Sequence, residues 1–186
     1  MTGRSDSALP WSWRLLRAAV IAAERVSPQT VAHTVAWLMF RTRRSAPPPR
    51  EADWLASGER WELAGPLGRL VAFRFGRGPV VVLVHGWNGR GGQLGAFIAP
   101  LVRAGFSVVT FDAPGHGFSQ GAEASLVAFA DAFDRVVSAL RENGEDVRGV
   151  VAHSLGAAAV TFSESRRVRG QSTAALRRLV FVAPPV

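Results

Sequence analysis

The chain has 186 residues, 48% of them hydrophobic, which suits one globular domain and excludes a disordered tail. It has no cysteine, which excludes a disulfide framework and a thiolate nucleophile, and its four histidines lack metal-ligand spacing, so we expect no metal and no cofactor. The net charge is +8 and every basic residue is arginine. These arginines are scattered and no nucleic-acid module is recognisable, so compositional bias explains the charge better than nucleic-acid binding.

The N-terminal part predicts two helices. Apolar residues recur at helical spacing over residues 11–26, and Ser27-Pro28 is a typical start for a second helix that ends near residue 40. Glu24 and Arg25 interrupt the apolar run before it could span a membrane. We expect an α-helical hairpin that packs against the main domain or a second subunit. Peripheral contact with a membrane through residues 1–50 and a secretory signal peptide are the alternatives.

Residues 41–50 are basic and proline-rich, which predicts an extended linker. We therefore divide the chain into an N-terminal hairpin with its linker, residues 1–50, and a core, residues 51–186. The core begins with a helical turn and then two short strands, 60–63 and 69–75, which form an antiparallel pair.

A continuous apolar run at 79–84 predicts a strand covered on both faces, and it leads into H-G-W-N-G-R-G-G at 85–92. A glycine-rich turn after a strand can bind a dinucleotide, but Leu94 stands where the third glycine of that motif belongs. A helix over 93–104, kinked or restarted at Pro100, should follow.

The next strand, 106–111, delivers D-A-P-G-H-G-F-S at 112–119, and residues 124–142 form the clearest amphipathic helix. Another buried strand is predicted at 179–183, after a helix that ends near residues 166–170.

Ser154 lies where a β-branched run gives way to small residues, with Ala152 two positions before it and Gly156 two after. A serine at a sharp turn from strand to helix has strained backbone angles that only small neighbours permit. Such a turn lifts the hydroxyl above the sheet and aims the Leu155 N–H at its target. The structural alternative is a serine that merely caps a helix.

The stretches 85–92, 112–119 and 152–156 resemble, in this order along the chain, the oxyanion loop, the D-x-P-G-x-G-x-S loop and the nucleophile elbow of the serine α/β-hydrolases. One position departs from the family's pattern, because Ala152 replaces the usual first glycine of G-x-S-x-G. The resemblance implies the N-terminal part of an α/β-hydrolase fold, a mostly parallel sheet with helices on both faces, preceded by the hairpin. It also implies Ser154 as nucleophile and the backbone N–H groups of Trp87 and Leu155 as the oxyanion hole.

The resemblance assigns structural roles to His85 and Asp112, and it places His116 at the border of the site, solvated and not acting as the base. In this family the catalytic acid and histidine follow the nucleophile, whereas here no histidine follows Ser154 and the only later acid is Glu164.

We therefore predict a chain truncated before those residues, with its last strand left as an uncovered edge. The expected function is a cytoplasmic serine hydrolase acting on small esters or related acyl compounds, impaired in this form. A non-catalytic binding protein or remnant is the alternative, and the oligomeric state stays open.

Overall fold

A computed structural model describes residues 10–168, 176 and 178–183. Its contacts divide the chain into two compact units, Met1–Phe40 and Arg41–Val186. The first unit holds two helices, α1 (Trp11–Val26) and α2 (Pro28–Phe40), and neither helix contains a buried residue. Ser27 separates them, and its hydroxyl accepts a hydrogen bond from the Thr30 N–H at 3.4 Å, which is the contact of a serine that caps the start of a helix. Among the described residues, no helix is both long and apolar enough to cross a membrane.

The second unit is built on a six-stranded sheet with the order β1-β2-β4-β3-β5-β6. Its strands are β1 (Glu59–Gly65), β2 (Gly68–Phe75), β3 (Val80–Val84), β4 (Ser107–Asp112), β5 (Val147–His153) and β6 (Arg178–Val182). The first two strands are antiparallel, β2 is antiparallel to β4, and β4, β3, β5 and β6 run parallel. The mostly parallel sheet is therefore confirmed.

Helices cover both faces of this sheet, also as predicted. They are α3 (Pro49–Ala56), α4 (Ile98–Arg103), α5 (Leu126–Glu142) and α6 (Leu155–Val168). On one face Phe129 and Phe133 of α5 pack with Phe111 and Val82 of the sheet. On the other face Leu55 of α3 and Ile98 of α4 belong to a second apolar cluster. Every residue of β3 and β4 is buried, because helices cover both sides of these strands.

Two predicted elements differ from the structure. The helix expected over 93–104 is a 3₁₀ segment, Gly91–Phe97, followed by the short α4. Three glycines weaken the α-helix in that segment, and Pro100 fits because it lies in the first turn of α4. The apolar run of the last strand indicated burial, but β6 is an uncovered edge, which was the other expectation for this strand, and it pairs only with β5 among the described residues. The predicted end of α6 lies partly in residues 169–170, outside the described residues.

Residues 41–47 are free of helix but are bonded to the surface of the second unit. Thr42 donates its N–H to the Ala122 carbonyl at 3.1 Å and its hydroxyl to the Gly115 carbonyl at 2.7 Å. Arg41 forms an isolated antiparallel bridge with Glu123. The contacts thus divide the chain after Phe40, ten residues before the boundary that composition suggested, and the supposed spacer belongs to the core.

Candidate functional site

Ser154 occupies the junction between β5 and α6 in a left-handed backbone conformation, with φ at +49°. A residue other than glycine adopts this conformation at a cost of about 1–3 kcal/mol, so the surrounding packing must enforce it. Gly156 shows how tight that packing is. A Cβ added there would lie 2.5 Å from the His85 carbonyl oxygen and 2.7 Å from that of Val84. Only glycine lets α6 approach the end of β3 this closely.

The first turn of α6 leaves the Leu155 N–H and the Ser154 hydroxyl without hydrogen-bond partners among the described residues. The Ser154 carbonyl accepts the Ala157 N–H at 2.9 Å, which starts the helix, and the Ser154 N–H donates to the Val182 carbonyl of β6 at 3.1 Å. Leu155 is the first residue of the helix, so its N–H has no partner within the helix and lies at the positive end of the dipole. No hydrogen bond joins the Ser154 hydroxyl to any other residue that the structure describes.

The loop after β3 passes directly beside this elbow. A Cβ added to Gly86 would lie 3.0 Å from the Ser154 Cβ, so the glycine allows the backbone of the two loops to touch. Trp87 follows, half-buried, with its ring packed against His116 and Phe129 at centroid distances of 5.6 and 6.4 Å. Within the described part of the chain the Trp87 N–H has no acceptor. The structure thus places the two predicted donor residues on either side of Ser154, with Trp87 on the loop after β3 and Leu155 at the first position of α6.

His85 holds the start of this loop from inside the protein. Its Nε2 accepts the Ala113 N–H at 3.0 Å, so the proton lies on Nδ1, which donates to the Gly86 carbonyl at 2.7 Å. Burial lowers the pKa of His85 to about 4, and the hydrogen bond to the Gly86 carbonyl opposes this shift. The ring is therefore neutral at pH 7, both nitrogens are engaged, and the geometry is that of a structural histidine.

The D-A-P-G-H-G-F-S loop after β4 is organised by Asp112. Its carboxylate accepts the Gly91 N–H at 2.7 Å and the Phe118 N–H at 2.8 Å. Burial raises the pKa of Asp112, and the two backbone hydrogen bonds oppose that rise. Ser119 closes the loop, since its hydroxyl donates to the Asp112 carbonyl at 2.6 Å and accepts the Val71 N–H at 2.8 Å. These contacts are the structural ones expected for this loop.

His116 differs from its expectation. It was placed at the solvated border of the site, but its side chain is fully buried. Its Nε2 accepts the Asn88 N–H at 3.0 Å while Nδ1 donates to the Pro114 carbonyl at 2.8 Å. Burial, with a smaller contribution from His85, lowers the pKa of His116 to about 4. The neutral ring therefore links the loop after β3 to the loop after β4. It is buried because the sheet brings these two loops together as neighbours.

A third support for the loop of Trp87 was not expected from the sequence. It is the segment of residues 41–44, which we call the strap. Asn88, at φ +52°, accepts the Arg43 N–H on its side-chain oxygen at 2.9 Å. The Arg44 guanidinium donates to the carbonyls of Ser119 and Gly121 at 2.5 and 2.6 Å. These partners are 45 to 77 residues apart in sequence, so no local pattern could have revealed them.

An acid–base partner for Ser154 is missing from the described residues. His85 and His116 are fully engaged elsewhere, and His153 makes no hydrogen bond to the Ser154 hydroxyl. Glu164 points its carboxylate to Arg167 at 3.0 Å. No group of three or more metal-ligating side chains occurs in the described residues either. The arrangement presents a serine hydroxyl and two backbone N–H groups without hydrogen-bond partners among the described residues, and any proton transfer from that hydroxyl would need a further group.

The known proteins to which this chain is similar are hydrolases. A model of the alpha/beta hydrolase family matches residues 81–186. A pimeloyl-[acyl-carrier protein] methyl ester esterase of Methylococcus capsulatus is 50% identical over 44 residues, which are 24% of this chain and 17% of the esterase.

Solved structures show the same fold. A thioesterase domain from the curacin biosynthetic pathway matches with a TM-score of 0.58 and 27% identity, over 69% of this chain and 47% of the domain. An esterase of Pyrococcus furiosus matches with a TM-score of 0.61 and 19% identity, over 78% of this chain and 56% of the esterase. An epoxide hydrolase from an endophytic Streptomyces matches with a TM-score of 0.51 and 24% identity, over 64% of this chain and 36% of the epoxide hydrolase. The chain thus spans about half the length, or less, of these proteins.

Proposed function

Because this chain belongs to the alpha/beta hydrolase family, we propose that it is a serine hydrolase for small carboxylic esters or thioesters, with Ser154 as its nucleophile. The observation that carries the proposal is the left-handed conformation of Ser154 at the start of α6, beside the loop of Trp87. The similarity to an esterase and to a thioesterase domain supports acyl-bond hydrolysis. A serine at this position favours such chemistry over epoxide opening, which in this family uses a carboxylate nucleophile.

In the proposed reaction the Ser154 oxygen attacks the carbonyl carbon of the ester and loses its proton to a base. The N–H groups of Trp87 and Leu155 hold the negative oxygen of the tetrahedral intermediate, each contributing about 3–4 kcal/mol. Collapse of the intermediate expels the alcohol or thiol, which takes up the proton, and leaves an acyl group on Ser154. Water then attacks the acyl carbon, and the carboxylic acid leaves with the free hydroxyl restored.

We propose that this chain on its own performs that reaction slowly. Water has to take the serine proton, because no histidine or carboxylate contacts the Ser154 hydroxyl in the described residues. Loss of the base lowers turnover on the order of a million-fold, and the oxyanion hole leaves about 10³ to 10⁴-fold acceleration over the uncatalysed reaction. The missing base is also the observation that favours the second candidate, a binding protein of this fold without catalysis.

Covalent labelling of Ser154 tests the proposal. The chain is incubated for long periods with p-nitrophenyl acetate and with an alkyl fluorophosphonate, and adducts are located by peptide mass spectrometry. We expect the adduct on the peptide containing Ser154, its loss in Ser154→Ala, and its retention in the matched control Ser165→Ala, an exposed serine of the same helix. Equal labelling of Ser154→Ala, or no adduct on Ser154 at any time, would contradict it and favour the binding protein.

A further inference from the structure

The first unit is rich in exposed large apolar side chains. Of the 21 exposed large hydrophobic side chains in the described residues, 12 lie in α1 and α2. Trp11 and Trp13 are 75% and 59% exposed, and Met39 is 69% exposed. Isolated exposed apolar residues are ordinary, but a concentration of this kind within 30 consecutive residues marks a surface that meets something else.

The charges of α1 lie on one side of the helix. At 100° per residue, Arg14, Arg17 and Arg25 fall within about 80° of each other, with Glu24 beside them. Leu15, Leu16 and Val26 lie around the opposite side, and Ile21 is the one large apolar residue among the arginines. The helix therefore has a broad apolar face and a narrower polar face on which arginine outnumbers glutamate by three to one.

Two tryptophans lie at the margins between these faces. Trp11 and Trp13 both belong to the first turn of α1, about 200° apart, so that one flanks each edge of the charged side. An indole ring has an apolar body and an N–H donor, which suits it to the boundary between hydrocarbon and water. The second helix ends in the apolar run Trp37-Leu38-Met39-Phe40 and contains no lysine, arginine, aspartate or glutamate.

We propose that α1 and α2 dock on the surface of an anionic phospholipid bilayer, with α1 lying in the interface. Its 16 residues span about 24 Å, shorter than the roughly 30 Å hydrocarbon core, so the helix suits the membrane plane and not a transmembrane path. On such a surface the arginines would contact the anionic headgroups, and the apolar face would contact the acyl chains. A second copy of the chain is a poorer occupant, because it would bring an identical excess of positive charge.

Vesicle binding by the full chain tests this proposal, independently of any hydrolase activity. The protein is co-sedimented with phosphatidylcholine vesicles and with vesicles in which about a third of the lipid is phosphatidylserine. We expect at least about tenfold stronger partitioning to the anionic vesicles, reduced by salt as screening requires. Binding should shift the fluorescence of Trp11, Trp13 and Trp37 to the blue, and Trp11→Phe with Trp13→Phe should reduce that shift to the part contributed by Trp37.

Matched charge variants separate the α1 surface from the overall charge of +8. Arg14→Gln, Arg17→Gln and Arg25→Gln together should weaken partitioning on the order of a hundredfold. Arg77→Gln, Arg103→Gln and Arg148→Gln remove the same charge from exposed positions of the second unit and should leave it within about twofold. Circular dichroism checks that both triple variants keep their helices.

Three results would overturn the proposal. One is the absence of binding to anionic vesicles at low salt. Another is an equal loss in the two triple variants, which would assign binding to net charge alone. The third is a stable dimer in solution that Leu15→Gln with Leu16→Gln makes monomeric, with no vesicle binding by the wild type, which would assign the apolar face to a second copy.

Discussion

Two buried histidines, His85 and His116, brace the loops beside Ser154 as neutral rings. Each accepts a backbone N–H on Nε2 and donates from Nδ1 to a carbonyl, so protonation of either ring would destroy one hydrogen bond and place a charge in the interior. Burial lowers the pKa of each to about 4, well below the 6.5 of an unfolded histidine. The stability of the loops beside Ser154 therefore depends on pH.

The sign of that linkage follows from the two pKa values. Between pH 6.5 and about 4 these two histidines are protonated in the unfolded chain but stay neutral in the folded protein. The free energy of unfolding therefore falls as pH falls. Each histidine contributes a slope of up to about 1.4 kcal/mol per pH unit. Asp112, whose pKa burial raises, contributes with the opposite sign.

Replacing His116 isolates one of these contributions. In His116→Asn the slope of unfolding free energy against pH between 6.5 and 4 should fall by up to about 1.4 kcal/mol per pH unit, because one titrating ring is gone and Asp112 is retained. Urea denaturation at a series of pH values measures it. The matched control His33→Asn, at an exposed position of α2, should leave the slope unchanged. An unaltered slope in His116→Asn would show that the buried ring does not titrate as described.

The strap, residues 41–44, joins two loops that belong to different crossovers. Through the Arg43 N–H it fixes Asn88, next to Trp87, and through Thr42 and Arg44 it fixes the carbonyls of the loop after β4. An extended segment can do this because its backbone donors are not used by a helix or a sheet. The position of the Trp87 N–H therefore depends on a segment that precedes the sheet.

Arg44→Ala tests the strap. It removes the guanidinium from the carbonyls of Ser119 and Gly121, and we expect a loss of about 1–3 kcal/mol in unfolding free energy with faster amide exchange in residues 113–122. Labelling of Ser154 should slow as the neighbouring loop loosens. Arg43→Ala is the control, because that side chain is exposed and the bond to Asn88 comes from the backbone. Equal effects in the two variants would contradict the assigned role.

Elements governed by local pattern were predictable from sequence. The buried runs of β3, β4 and β5 and the stripe of α5 appear within a residue or two of their expected bounds, and Ser154 falls at the predicted junction. The strap and the burial of His116 were not predictable. Each depends on which distant residues cover a position, and sequence spacing carries no such information.

The order of strands explains why motifs about 30 to 70 residues apart in sequence meet in the fold. With β3 between β4 and β5, and all three parallel, the loops after these strands leave the same edge of the sheet as neighbours. The loop of Trp87 is the middle one, so it contacts Ser154 on one side and His116 on the other. The strand order alone therefore brings these three loops together, whatever side chains they carry.

The molecule separates its two proposed tasks between its two units. The first carries the apolar, arginine-bearing helices, and the second carries the sheet with the candidate nucleophile. Failure of vesicle binding would leave the hydrolase proposal intact, and failure of Ser154 labelling would leave the membrane proposal intact. The two can therefore be decided separately.

A crystal structure of the phosphonate adduct of this chain tests the proposed oxyanion site most directly. The tetrahedral phosphorus on Ser154 imitates the intermediate of ester hydrolysis. We predict one phosphonyl oxygen within about 2.7–3.1 Å of both the Trp87 and Leu155 backbone nitrogens. A phosphonyl oxygen that faces solvent, with those two N–H groups bonded elsewhere or pointing away, would contradict the assignment of Ser154, Trp87 and Leu155.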